Sequence, residues 1–170
     1  MDNKAKGGSP QIDIVEFTAL RKVDKLLKDR RYDELPLNKV LDIVRRNNLP
    51  NIGIDIAMLD GEPAGCVAYQ WGYRGEARSC YLFALHVKPE FRRRGVADRL
   101  VSSFLPAYRK VFLGVEADNE PAINLYKKKG FVFTGENEPI KGKDIRVMVK
   151  EKKFSVAFDS GARRFLAKTR

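Results

Sequence analysis

An arginine triplet closed by glycine, Arg92-Arg93-Arg94-Gly95, stands between a short apolar run and an amphipathic one. Upstream, Leu82, Phe83, Ala84, Leu85 and Val87 have the length and composition of a strand, and Pro89 ends it. Downstream, Val96, Leu100 and Phe104 stand four apart with Ala97 and Val101 beside them, which predicts a helix whose apolar stripe runs towards Pro106. The unit is therefore strand, tight turn, helix, and it demands a mixed α and β fold. Backbone N–H groups of the first helical turn have no partner within the helix and point outward with the positive end of its dipole. Anions bind at such a place. Gly95 can take a positive φ and has no Cβ, and the small Ala97 lets an anion's oxygens reach the backbone. As a lone motif, Arg-x-x-Gly-x-Ala over Arg92, Gly95 and Ala97 fits an ordinary strand-to-helix turn equally well.

A second cassette follows from Val111 to Phe131. It reads as a strand, a cap at Asp118 or Asn119, a helix with Pro121 in its first turn and lysines in its last, and an exit at Gly130. Asn119, Ala122 and Tyr126 lie at i, i+3 and i+7 and share one helix face.

Together the two cassettes resemble the GNAT superfamily of acetyl-CoA-dependent N-acetyltransferases. The family's loop (Gln/Arg)-x-x-Gly-x-(Gly/Ala) is met by Arg92, Gly95 and Ala97, and its signature Asn-x-x-Ala-x-x-x-Tyr-x-(Lys/Arg)-x-Gly-Phe by Asn119, Ala122, Tyr126, Lys128, Gly130 and Phe131. In motif the likeness covers residues 78 to 136, and the flanks agree in element order. Ile12 to Thr18 reads as a strand, Leu20 to Leu27 as a helix, and Leu37, Val40, Leu41 and Val44 mark a second helix begun by Pro36. Ile54 to Leu59 and Ala64 to Trp71 form a hairpin about Asp60-Gly61-Glu62-Pro63, and Phe131 to Gly135 and Ile145 to Val149 are the last strands. The resemblance thus implies an α/β (α+β) GNAT fold. Its central sheet is mixed, mostly antiparallel and of about seven strands, flanked by about four helices in the order β-α-α-β-β-β-α-β-α-β-β.

With 170 residues and 44% apolar content the chain can bury one core without disulfides. We read residues 1–10 as a disordered leader, 11–150 as the acetyltransferase domain and 151–170 as a basic extension packed on it or trailing from it. No run has the length of a membrane span, and a cytoplasmic protein is expected. Cys66 and Cys80 fall on adjacent strands and read as buried thiols, too few for a zinc site, so no metal is expected. Of the net charge of +11, +7 falls between Lys141 and Arg170, where ten basic residues face three acidic ones. That end is either a solvated surface or a contact for an acidic partner such as RNA, without any stacking signature for nucleic acid.

The resemblance assigns roles by position. The coenzyme A arm runs beside Leu85, His86 and Val87, and its pyrophosphate meets backbone N–H groups of Arg93, Arg94, Gly95, Val96 and Ala97. Arg92 and Lys128 add charge, and Asn119 and Ala122 face the arm. Tyr126 takes the position of the general acid for the departing thiolate. The base is less orthodox. Tyr81 stands eleven residues before Arg92 where many members carry Glu or His, and Gly114 stands where others carry Glu. Glu116 lies two residues on from Gly114, hence on the same strand face, while His86 is expected to face away from Tyr81, Phe83 and Leu85. A water relay ending on Tyr81, Glu116 or Glu76 is the expected route for the amine proton. The acceptor site would be walled by Asp29 to Leu35 and by Glu136 to Asp144, with Trp71 and Tyr73 lining it or packing nearby.

Four functions fit. The first is an acetyltransferase acting on a primary amine of a protein, peptide or small metabolite. Others are a basic member acetylating aminoacyl-tRNA, a non-catalytic acyl-CoA-binding module, and an RNA-binding protein on a vestigial fold.

Overall fold

The structure is a computed structural model that describes residues 11–17, 27–137 and 142–152. Seven strands form one sheet in the order β1-β2-β3-β4-β5-β7-β6. They are β1 (Ile12–Phe17), β2 (Ile52–Leu59), β3 (Glu62–Trp71), β4 (Ser79–Val87), β5 (Lys110–Glu116), β6 (Val132–Asn137) and β7 (Ile145–Glu151). All neighbours are antiparallel except β4 and β5. Among the described residues there are three α-helices: α1 (Leu37–Arg46), α2 (Val96–Phe104) and α3 (Glu120–Lys128). The helix expected over Leu20 to Leu27 falls, apart from Leu27, outside the described residues, as do the leader, part of the Glu136 to Asp144 turn and the basic residues from Lys153 onward.

Each helix face follows from its apolar spacing. Leu37, Val40, Leu41 and Val44 of α1 are buried against Ile52, Ile54 and Ile56 of β2 and Cys66 and Ala68 of β3. Val96, Leu100, Val101 and Phe104 of α2 bury against the opposite face, with Ala57, Leu59, Val67 and Tyr69. Gly65 permits this close approach. A Cβ there would stand 2.5 Å from the His86 carbonyl oxygen and 3.2 Å from Val96 Cγ1. Cys66 and Cys80 are free and buried in cores on opposite faces of the sheet, so the reading as inert thiols holds and the two cannot pair. Burial pushes the Cys66 thiol up to about 12.

The register of β3 on β4 changes the expected facing of one residue. Ala68 pairs with Ala84 and Tyr69 with Leu82, which leaves Phe83 as an extra residue in β4. A bulge of this kind reverses the side-chain alternation beyond it. Cys80 and Leu82 belong to the α2 side before the bulge, and Leu85 and Val87 to that same side after it. His86 pairs with Cys66 of the other core and therefore shares the face of Tyr81 and Phe83. Strict alternation along the sequence had placed it on the opposite face from Tyr81 and Phe83, and the bulge corrects that.

One buried acid went unpredicted. Asp55, 1% exposed, sits between Ile54 and Ile56 and faces α2, where it accepts hydrogen bonds from Tyr69 Oη (3.2 Å) and Ser103 Oγ (3.0 Å). Loss of hydration raises its carboxyl to about 6, against the two hydrogen bonds and with the charge of Glu16 adding to the rise. A folded state that holds this proton more tightly than the unfolded chain has its full stability below about pH 4 and loses part of it as pH climbs through about 6. Asp55→Asn removes the charge and keeps one acceptor oxygen, and its amide can donate to Ser103 Oγ, whose hydroxyl then turns to the Leu100 carbonyl. In urea unfolding it should exceed wild type by about 1–3 kcal/mol at pH 7.5, and the difference should shrink towards pH 4. A difference independent of pH would show that Asp55 is not the source.

Candidate active site

β4 and β5 pair only from Ser79 with Lys110 to Leu82 with Leu113, although β4 runs on to Val87 and β5 to Glu116. Pairing ends where the extra Phe83 bends β4, and past that point the two strands part. The wedge is lined by Tyr81, Phe83 and Leu85 from β4, Gly114 and Glu116 from β5, Asn119, Ala122 and Tyr126 at α3, and Ile145 of β7. The sequence motif at α3 and the unmatched positions of β4 and β5 thus meet in one cleft.

A second hollow is lined by Val87, Phe91, Arg92, Arg93, Gly95, Val96, Ala97, Leu125 and Lys128. Arg93 (φ +61°) and Gly95 (φ +82°) are both left-handed, so the turn folds back under the α2 N-terminus. Arg92 Nε donates to the Val87 carbonyl (3.3 Å) and ties the turn to the end of β4. The Arg94 side chain is engaged elsewhere: it lies 3.7 Å from Asp60 and over the ring of Phe91. Asp98 reaches Lys129 Nζ at 2.7 Å, so the acid nearest the turn is neutralised. Three cations, a helix N-terminus and the small residues Gly95 and Ala97 beside it fit a diphosphate.

The α3 helix is built as its sequence requires. Asn119 Oδ1 accepts from the Ala122 N–H (3.2 Å), which decides the cap in favour of Asn119 over Asp118. At the far end Gly130 (φ +86°) turns the chain and the Phe131 N–H donates to the Tyr126 carbonyl (3.0 Å). Phe131, 2% exposed, then packs edge-on against the Tyr126 ring with centroids 5.7 Å apart. Gly-Phe after the tyrosine is the device that fixes the ring. Burial raises the Tyr126 phenol to about 12, and among the described residues its hydroxyl has no hydrogen-bond partner.

Tyr81 lies across β5. A Cβ on Gly114 would be 3.1 Å from Tyr81 Oη and 2.8 Å from Ile145 Cγ2, so the missing side chain is what makes room for the phenol. Glu116 Oε1 receives Lys143 Nζ at 2.6 Å, and that hydrogen bond holds the lysine above its ordinary pKa. Glu76 meets Lys110 at 3.8 Å. Burial first, and then the charges of Arg92, Lys39 and Lys88, hold the His86 imidazole below its ordinary pKa. Tyr73 packs at a tilt against the Tyr81 ring (4.8 Å), whereas Trp71 packs with the α2-side core. Lys88, 5% exposed, is a functional-looking charge the sequence did not single out, and Glu34 of the Asp29 to Leu35 loop pairs with it at 2.7 Å.

The model of the acetyltransferase (GNAT) family matches residues 17–131. The chain belongs to that family. An N-alpha-acetyltransferase of Sulfurisphaera tokodaii is 30% identical over 90 residues, covering 45% of this chain and 54% of its own length. The chain spans 54% of the length of that relative and 63% of the length of an acetyltransferase of Pectobacterium atrosepticum that is 34% identical over 94 residues, 52% of this chain. The fold matches that of Ard1 from Thermoplasma volcanium with a TM-score of 0.60 and 22% identity, over 84% of this chain and 99% of that one. It also matches a chain of the NatC complex bound to Gag peptide and CoA, with a TM-score of 0.56 and 19% identity over 83% and 99%. The GNAT protein thus carries its family's fold on a mixed seven-stranded sheet among the described residues. No helix among its described residues is long and apolar enough to cross a membrane.

Proposed function

We propose that this GNAT protein moves an acetyl group from acetyl-CoA to the α-amine of a protein or peptide by direct attack. The observation that carries the reading is the wedge between β4 and β5, with Tyr126 on its α3 side and Tyr81 across it. In this reading the hollow at Arg92, Arg93 and Lys128 holds the pyrophosphate, and the arm follows Leu85 to Val87 past Asn119. Tyr126, fully protonated at neutral pH, gives its proton to the sulfur that leaves. The amine proton passes through water and the Tyr81 hydroxyl, which relays it onward to bulk solvent, because Glu116 is occupied by Lys143 and His86 is set back at the end of β4. Two features favour a peptide terminus over a polyamine. The acceptor side offers the rings of Tyr81 and Phe83 and the side chain of Ile145, and its lone lining carboxylate is already paired. The Sulfurisphaera relative also bears the name N-alpha-acetyltransferase.

The test is transfer of labelled acetyl to three pools: peptides with free N-termini, the same peptides blocked at the N-terminus with free lysines, and spermidine. Label should enter the first pool. Transfer only to lysine or spermidine would reject the α-amine, and acetyl-CoA binding without transfer to any pool would favour a non-catalytic module. Tyr81→Phe should lower kcat/KM for the accepted peptide by about 10-fold while acetyl-CoA affinity holds, less than the loss of a full acid or base because water can bypass one relay group.

A further inference from the structure

The connection between β3 and β4 is wound more tightly than its length needs. Gly72 (φ +73°), Arg74 (φ +56°) and Gly75 (φ +76°) are all left-handed, and at Arg74 this conformation belongs to a residue with a side chain. The buried Ser79 Oγ stands within hydrogen-bond reach of the carbonyls of Tyr73 and Glu76, the latter at 2.8 Å, and its single O–H, shared between them, holds the turn closed. Such strain persists only where the surroundings over-determine it. Here they present one side chain to two strands and to the ring of the residue before it. The Arg74 guanidinium lies 4.9 Å from the centroid of Phe112 on β5 and 5.4 Å from that of Tyr73, and its Nη2 meets Glu136 Oε2 of β6 at 2.9 Å. Tyr73, so covered, packs its ring at a tilt against Tyr81 (centroids 4.8 Å apart) and Phe112 (5.4 Å). Tyr81 in turn carries its hydroxyl over Gly114.

We infer that Arg74 is a positioning residue for the acceptor side of the cleft: clamped by Glu136, it presses Tyr73 onto Tyr81 and fixes where the Tyr81 hydroxyl stands above Gly114. The inference rests on the proposed role of Tyr81. Stability is a poor explanation for the clamp. Both charged partners are about half exposed, and ion pairs of that kind contribute little. A planar cation spread over two rings, by contrast, sets orientation, which lysine would not do.

The experiment is a double-mutant cycle of Arg74→Ala and Tyr81→Phe on the full chain, read as kcat/KM for the accepted peptide and as acetyl-CoA affinity. Glu136→Gln serves as a second variant that releases the clamp and leaves Arg74 in place. Arg74→Ala should lower peptide kcat/KM by about 5- to 30-fold, a loss in the range that small misplacement produces, with acetyl-CoA affinity within about twofold of wild type. Glu136→Gln should move in the same direction by less. In the Tyr81→Phe background Arg74→Ala should cost almost nothing more. Equal losses in both backgrounds, parallel loss of acetyl-CoA binding, or no loss in either clamp variant would overturn the inference. If Tyr81→Phe alone is silent, the role of Tyr81 fails and the inference falls with it; if it is damaging while the clamp variants are silent or additive, only the inference fails.

Discussion

Tyr126→Phe should lower turnover by about 10- to 1000-fold while leaving acetyl-CoA affinity within about twofold of wild type, since general acid catalysis contributes about 10² to 10⁴. The substitution removes one hydroxyl and keeps the ring, so the edge-on contact with Phe131 and the α3 terminus survive. Its pH behaviour separates it from other changes. Burial raises the phenol to about 12, so the proton to be donated is present at every pH at which the fold is expected to operate. An activity limb between pH 6 and 9 must then come from another group and should persist in the variant. Turnover left intact, with chemistry shown to limit the rate, would reduce Tyr126 to a packing residue.

The second large effect is expected at the turn before α2. Gly95→Glu should weaken acetyl-CoA binding by at least about tenfold in calorimetry, since it adds a charge repelled by phosphate and a Cβ at a left-handed φ. The fold itself leaves room for the Cβ: its nearest neighbour would be Ile12 Cδ1, 4.0 Å away. Gly95→Gln carries the same strain and bulk without the charge, and it should lose clearly less. Equal affinities of the glutamate variant and wild type would move the diphosphate away from this turn.

These positions were legible because their chemistry is local. A left-handed glycine, an Asn cap and a Gly-Phe exit depend on neighbours within a helical turn, and the sequence places Gly95, Asn119, Gly130 and Phe131 in those settings directly. The facing of His86 was not legible, because it depends on an extra residue at Phe83 that only the register of β3 on β4 reveals. Asp55 was hidden in an apolar run, and its two partners lie 14 and 48 residues away. The clamp at Arg74 is equally remote, its carboxylate being 62 residues downstream. Gly114 reads in the sequence as a lost acid, and only the sheet shows a phenol standing over it.

The parting of β4 from β5 also has a mechanical side. Among the described residues, four pairs, Ser79 to Leu82 with Lys110 to Leu113, are the only ladder joining β1 through β4 to β5, β7 and β6. The sheet is in effect two panels on a short hinge, and backbone groups of β4 beyond Leu82 that would face β5 lack a strand to pair with. A bound molecule lying in the gap touches both panels at once. Occupancy would therefore splint the molecule across its weakest seam, coupling the panel that bears α1 to the one that bears the carboxylate of Glu136, and ligand and scaffold would stiffen together.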